Sequence, residues 1–335
     1  MNYMKSMYKI LFLLVFVFAA PQAKAKTEIE IGYMPILPVS QVFVALENKW
    51  LSDLGLEVKL VQFQNGPAMV QAILAGQLDV AHFGIGPAMV ARAKGADIKV
   101  VAASIKEQIS FVALGELAPY FDADPATAFA RFRADKGRQA VVTTFPVGSV
   151  PQTVLQYWLR KKLGANLDDL KIIYQGAAQV QQALATGAVD AAAILEPIVT
   201  KIIKDVEGSR VVAKGSQMFD GQPGAVLVVR ETLIAKSPKI VGALVDAHAR
   251  ATDILNNQPD QAVGPVRKYV GGGRLPEAIV KSALDSSKGS FVADPNSIIE
   301  GAKRMRDFQK EIGTLKVDVN VDALIETKFY DALKR

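Results

Sequence analysis

The sequence predicts an α/β protein with two similar lobes that face each other across a cleft. Segments typical of strands alternate with segments of helical apolar spacing, which indicates mostly parallel sheets covered by helices. In addition, the segment 71–86, QAILAGQLDVAHFGIG, returns as 182–197, QALATGAVDAAAILEP, after a shift of 111 positions. In each copy an apolar helix ends at a glycine suited to the left-handed conformation, and a short buried strand begins at an aspartate.

The N-terminal part of the sequence, up to residue 103, predicts four strands with helices between them. Residues 28–33 and 57–63 alternate polar with apolar, and 98–103 is a continuous apolar run typical of a strand buried on both faces. The repeated segment adds a strand at 79–83. Helices are expected at 39–54, 67–75 and 87–94, because glycines stop the first and last of them and Pro67 suits a first helical turn.

The sequence from residue 110 onward predicts a similar series of strands and helices, followed by a C-terminal region that is almost wholly helical. Strands are expected at 110–115, 139–144, 171–174, 190–195, 210–213 and 225–229. Helices are expected at 124–134, 150–163, 177–186 and 197–206 and, beyond Ser237, at 238–256, 276–287, 295–312 and 321–333. Extended crossovers near 104–110 and 214–224 would insert the second lobe within the first. We therefore expect lobe I at 26–106 and 222–335, and lobe II at 107–221.

The first 25 residues have the pattern of a secretory signal peptide. Lys5 and Lys9 precede an apolar run of 11 residues at 10–20, and a small-residue cleavage site follows at 23–25. The run is shorter than the roughly 20 residues that span a bilayer as a helix. Cleavage after Ala25 would leave 310 of 335 residues and lower the net charge from +6 to +3. The expected location is the periplasm.

The amino-acid composition excludes several classes of function. The mildly basic mature chain has no dense basic run, so no nucleic-acid partner is expected. The absence of cysteine excludes thiol catalysis, iron–sulfur clusters and cysteine-ligated zinc, and it removes the acceptor for a lipid on the mature N-terminus. We expect a free monomer.

The usual catalytic motifs are absent from the sequence. It has no HExxH, Gly-x-Ser-x-Gly or Walker motif, and His82 and His248 are its only histidines. We interpret His82 as a core or pocket-wall residue and His248 as a solvated or interface side chain. No catalytic residue, metal or cofactor is therefore expected.

The strand-to-helix turns are the candidate ligand site, because ligands of open parallel sheets bind beyond the carboxyl ends of the strands. At Gly148-Ser149 a buried strand leads directly into a helix, whose free N–H groups and hydroxyl cap would attract a sulfonate or carboxylate. The same pair could be an N-cap only. Glu196 could bind an amino group of the ligand or form a hinge hydrogen bond. The candidate ligand-binding residues are Met34, Pro35, Gln64, Phe83, Gly84, Ser104, Gly148, Ser149, Val150 and Glu196.

Six short motifs, together with the leader, follow one another in an order and spacing that are fairly specific to one protein family. They are Ile31-Gly-Tyr, Ala75-Gly-Gln-Leu-Asp-Val-Ala, Phe83-Gly, Val147-Gly-Ser, Thr186-Gly-Ala-Val-Asp-Ala and Leu195-Glu-Pro. In these motifs the chain resembles the periplasmic substrate-binding proteins of ABC transporters for sulfonate, taurine, nitrate and related compounds, a family that includes thiamine-precursor binders. The resemblance implies a type II periplasmic binding protein fold that closes on a small ligand and presents it to an ABC permease in the inner membrane.

The resemblance leaves the ligand open. A small organic anion such as a sulfonate or taurine ranks above nitrate and bicarbonate, whose binders in this family are longer and use more polar sites. A thiamine-precursor pyrimidine is a further alternative. The related enzymes of thiamine-pyrimidine synthesis use a cysteine-rich motif and a lysine-bound pyridoxal cofactor, and they lack an export leader. A structural or sensory periplasmic partner of the same fold is the third class.

Overall fold

The computed structural model describes residues 27–334, so the predicted signal peptide lies outside the described residues. Ten strands occur in this range: β1 (Thr27–Tyr33), β2 (Leu56–Gln62), β3 (Val80–Gly84), β4 (Ile98–Ala103), β5 (Ser110–Ala113), β6 (Ala140–Thr144), β7 (Leu170–Tyr174), β8 (Ala191–Ile194), β9 (Arg210–Ala213) and β10 (Ala225–Arg230). They form two mixed sheets, in the orders β2-β1-β3-β10-β4 and β7-β6-β8-β5-β9.

Helices cover both sheets. The α-helices between residues 27 and 334 are α1 (Ser40–Glu47), α2 (Trp50–Asp53), α3 (Gly66–Leu74), α4 (Ile85–Ala93), α5 (Ala128–Lys136), α6 (Val150–Tyr157), α7 (Ala177–Ala185), α8 (Ile198–Asp205), α9 (Gly215–Met218), α10 (Glu231–Lys236), α11 (Pro238–Asn257), α12 (Pro259–Tyr269), α13 (Glu277–Ser286), α14 (Ile299–Glu311), α15 (Val321–Leu324) and α16 (Lys328–Asp331). A π-helix, Trp158–Leu163, continues α6. None of the helices in this range is both long enough and apolar enough to cross a membrane.

The sequence repeat corresponds to a structural repeat. Helices α3 and α7 begin and end 111 positions apart, and so do the first residues of β3 and β8. The repeated aspartates have the same role, because Asp79 Oδ2 accepts the Glu30 N–H at 3.0 Å and Asp190 Oδ2 accepts the Val141 N–H at 2.7 Å. Each carboxylate thus joins a central strand to its parallel neighbour. Arg138 adds two hydrogen bonds of 2.7 Å to Asp190.

The fourth strand of each sheet is antiparallel to both of its neighbours. In the sequence it directly follows a crossover from the other sheet. Strand β10 is antiparallel to β3 and β4, and β5 is antiparallel to β8 and β9. The two crossovers run side by side, with Glu107 N–H donating to the Gln222 carbonyl at 2.8 Å and Gly224 N–H to the Ile105 carbonyl at 2.9 Å. We call the first sheet with its covering helices the first half, and the second sheet with its helices the second half.

Several predicted element bounds change in the structure. The helix expected at 39–54 breaks into α1 and α2, because Lys49 takes a left-handed φ of 61°. The helix expected at 295–312 begins with a 3-10 turn, Pro295–Ile298, before α14. Helix α12 follows α11 almost without a break and was not predicted as an element of its own. The interpretation of His248 as solvated is wrong, because the side chain is 3% exposed between α11 and the first sheet.

Candidate functional site

Four of the predicted residues line one small cavity between the two halves. Met34 and Gly84 come from the first half, and Ser149 and Val150 come from the second. The cavity has a volume of about 20 Å³, room for roughly one water molecule. The strand-end turns of the two sheets therefore meet, as their position at the carboxyl ends predicted, and they meet closely.

Two helix starts oppose each other at this cavity. Ser149 caps α6, and its Oγ accepts the Gln152 N–H at 3.3 Å. Gly84 precedes α4, which has no side-chain cap, so the first N–H groups of that helix lack an intrahelical partner. A Cβ placed on Gly84 would lie 2.7 Å from Val150 Cγ2, closer than real side chains approach. Only a glycine lets the two halves approach this closely here.

The remaining predicted residues lie around this cavity without lining it. Phe83 and Ser104 are fully buried, and the Ser104 carbonyl accepts the Gln41 amide at 2.7 Å. Pro35 is half-buried and Gln64 is exposed. Gly148 lines a second, larger cavity instead, with a left-handed φ of 88° that favours glycine.

Sequence reasoning missed Gln108, which lines the small cavity from the first crossover. Its Oε1 is buried without a hydrogen-bond partner among the described residues, so it is a free acceptor close to the cavity. No motif marks this position, because a crossover residue has neither strand nor helix periodicity. Only the three-dimensional path of the chain brings Gln108 beside Ser149.

Glu196 lies at a contact between the halves. Its carboxylate accepts hydrogen bonds from the Thr200 N–H and hydroxyl, each at 2.9 Å, and from the Ser286 hydroxyl at 2.9 Å. Thr200 follows β8 in the second half, whereas Ser286 ends α13 in the first. Burial raises the pKa of Glu196, and these three hydrogen bonds act in the opposite direction. Of the two roles left open by the sequence, the geometry favours the contact between halves over binding of a ligand amine.

The larger cavity lies between α3, α4, the turn before α6 and the segment 314–317. Its volume is about 490 Å³, within the roughly 300–1,000 Å³ of small-molecule sites. Its lining includes Val70, Val90, Val147 and two lysines, Lys94 and Lys316. No local sequence pattern marks this cavity, because residues 147–148 and 314–317 are far along the chain from α3 and α4.

The two histidines form a buried pair in the first half. The rings of His82 and His248 stack at 5.8 Å between centroids, and His248 Nε2 contacts the Ala103 carbonyl at 2.6 Å. Burial lowers the pKa of both imidazoles, that of His248 to about 4. His82 is therefore a core residue, one of the two roles expected for it. Residues 27–334 contain no cluster of three or more histidine, aspartate or glutamate side chains that could hold a metal ion.

Comparison with known proteins agrees with this architecture. The sequence model of the NMT1-like family matches residues 22–263. A Brucella abortus protein provisionally named a binding protein is 26% identical over 228 residues, 68% of this chain and 66% of the relative, so the chain spans just under two thirds of that relative. A protein of Escherichia coli K12, provisionally named an aliphatic sulfonates-binding protein, is 23% identical over 269 residues, 78% of each chain.

The fold is shared with a solved binding protein. The alkanesulfonate-binding protein SsuA from Xanthomonas axonopodis pv. citri, bound to MOPS, matches with a TM-score of 0.74 at 19% identity. The match covers 91% of this chain and 100% of that chain. The predicted α/β fold class is thereby confirmed.

Proposed function

The chain belongs to the NMT1-like family, and we propose on that premise that it is the substrate-binding component of an ABC importer. It captures a small organic anion, such as a sulfonate or taurine, in the periplasm and delivers it to a permease in the inner membrane. It acts as a monomer without enzymatic activity or cofactor. The names of the Escherichia coli relative and of the Xanthomonas structure support a sulfonate as the first ligand class to test.

The observation that supports this proposal best is the meeting of two helix starts across the halves. The turn Gly148-Ser149 presents the N-terminus of α6, and Gly84 presents that of α4. The positive ends of the two helix dipoles favour an anionic group between them, although the Ile85 N–H already donates to the Gly224 carbonyl and the Gln152 N–H to Ser149 Oγ. Removal of water as the halves close strengthens these interactions.

Capture requires the halves to separate, and they then close on the bound anionic group less completely than in the present form, because the small cavity of about 20 Å³ has no room for a sulfonate group. The paired crossovers at 105–107 and 222–224 would act as the hinge, because the chain passes between the two halves there. We assign the lobes to 26–106 with 222–335 and to 107–221. A solute that fits the closed form better shifts the population toward it.

Calorimetric titration of the mature protein tests the proposal. Methanesulfonate and taurine should bind, whereas nitrate, bicarbonate and a thiamine-precursor pyrimidine should bind more weakly. Ser149→Ala removes a hydroxyl and should weaken sulfonate binding by about tenfold, since a hydrogen bond to a charged group contributes roughly 1.5–3 kcal/mol. Gly148→Val should weaken it further, because a valine strains the left-handed φ of 88°.

Melting curves would establish that both variants fold. Parental affinity in both would place the site elsewhere in the cleft. Binding of nitrate or of the pyrimidine in preference to every sulfonate would overturn the assignment of the ligand class.

A further inference from the structure

The 490 Å³ cavity has mostly apolar walls and an apolar rim. Val70 and Pro87 are buried in its walls, and Val147 and Val317 form part of its rim with 53% and 57% of their surface exposed. Both valines line the cavity and are exposed, so they present apolar surface without a partner in the described part of the chain. Such surfaces at a concave site commonly mark ligand contact.

This cavity adjoins the small cavity of the proposed anion site. Pro87 lines both, and Gly148 of the large cavity is followed directly by Ser149 of the small one. If the anionic group of a ligand lies at the start of α6, the rest of the ligand can therefore extend past Gly148 into the large cavity.

The charged residues that line the large cavity are both lysines. Lys94 and Lys316 belong to its lining and are exposed, and no aspartate or glutamate lies among the residues that line it. Neither ammonium group forms an ion pair within residues 27–334, although many other lysines do. Two uncompensated positive charges at an apolar opening attract an amphiphilic anion and repel an amphiphilic cation.

We propose that the large cavity holds the apolar part of the solute, so that the preferred ligand is an organic anion with an extended hydrocarbon chain or ring. The inference rests on the proposed function, because it places the anionic group at the start of α6. A compact anion such as methanesulfonate or taurine would leave the cavity unfilled. The chain therefore selects by the length of the apolar part as well as by charge.

A chain-length series tests this inference. Affinity should rise from methanesulfonate through butanesulfonate to octanesulfonate, by about fourfold for each methylene group that is buried. Val147→Ser should weaken octanesulfonate by about fivefold and leave methanesulfonate unchanged, because it makes the rim polar. Ile203→Ser is the matched control on α8, where the β-branched Ile203 is 38% exposed and lines neither cavity, and it should bind like the parent. Octyltrimethylammonium, a cation with the same chain, should not bind.

The outcomes separate this inference from the proposed function. If short sulfonates bind and affinity does not rise with chain length, the function stands and the apolar site is refuted. The same conclusion follows if Val147→Ser and Ile203→Ser weaken octanesulfonate equally. If no sulfonate of any length binds, the sulfonate assignment itself fails.

Discussion

Gly84 lets the two halves of this protein close, and replacing it with alanine should hold them apart. The φ of Gly84 is −70°, so alanine fits the backbone without strain. Its Cβ would nevertheless lie 2.7 Å from Val150 Cγ2 of the opposite half. Overpacking of this kind costs about 1–3 kcal/mol. The contact exists only when the halves meet, so the cost applies to the closed form, and the added methyl group also takes space in the small cavity that the anionic group needs.

The expected result is a loss of affinity without a loss of folding. A cost of that size corresponds to about 5- to 150-fold weaker binding, since 1.4 kcal/mol is roughly a factor of ten. Calorimetric titration with the tightest sulfonate measures it, and small-angle scattering should give a larger radius of gyration for the variant than for the parent. The melting temperature should change little.

Two further variants control for this result. Gly264→Ala adds a methyl group at a helical glycine with no atom within 4 Å of the new Cβ, and it should behave like the parent. Val150→Ala in the Gly84→Ala background removes the opposing methyl groups and should restore much of the affinity. Parental affinity and an unchanged radius in Gly84→Ala would show that closure does not bring Gly84 against Val150.

Three other predictions concern charge and burial. The buried, neutral His248 has a pKa of about 4 against an ordinary 6.5, so the unfolded chain takes up more protons below pH 6.5. Urea denaturation should therefore show a loss of stability of about 2 kcal/mol or more from pH 7 to pH 5, because the lowered pKa of His82 adds to that of His248, and His248→Gln should lose about 2 kcal/mol less; equal losses would contradict this. Glu196→Gln should weaken taurine and methanesulfonate by the same factor, because the carboxylate bonds Ser286; a loss for taurine alone would show a contact with the ligand amine. Asp190→Asn should lower stability by about 1–2 kcal/mol in urea unfolding, because it removes the charge that Val141 N–H and Arg138 bond, while the half-exposed Arg138 keeps Glu116 as a partner, and an unchanged midpoint would refute that role.

The fold was predictable from the sequence because its main signal is local. Strand alternation and helix-ending glycines are visible in the chain, and the repeated Gly-x-x-Asp pattern reports a repeated packing arrangement. The role of Asp79 and Asp190 in joining adjacent strands explains why the aspartate recurs at the same point of each copy. The break at Lys49 was not visible, because no glycine or proline marks it.

The site was predictable only where a strand end identifies it. Gly84 and Ser149 directly follow strands or precede helices, and both contribute to the meeting of the halves. Gln64 and Phe83 occupy similar positions in sequence, yet one is exposed and the other is core, because the direction of a side chain at a turn depends on tertiary packing. Lys316 was beyond prediction, since nothing local connects a segment near the C-terminus with α3 and α4.

The order of strands determines when each sheet can be completed as the chain is made. Strands β5 to β9 are contiguous in sequence, so a chain that stops after Ala213 already contains all the described strands of the second sheet. The first sheet is different, because β10 lies between β3 and β4 and is the last strand of the series. Until residue 230 is available, β4 has no neighbour that joins it to β1 and β3. The N-terminal sheet is therefore completed last, and its edge strand β4 stays unpaired until β10 is inserted.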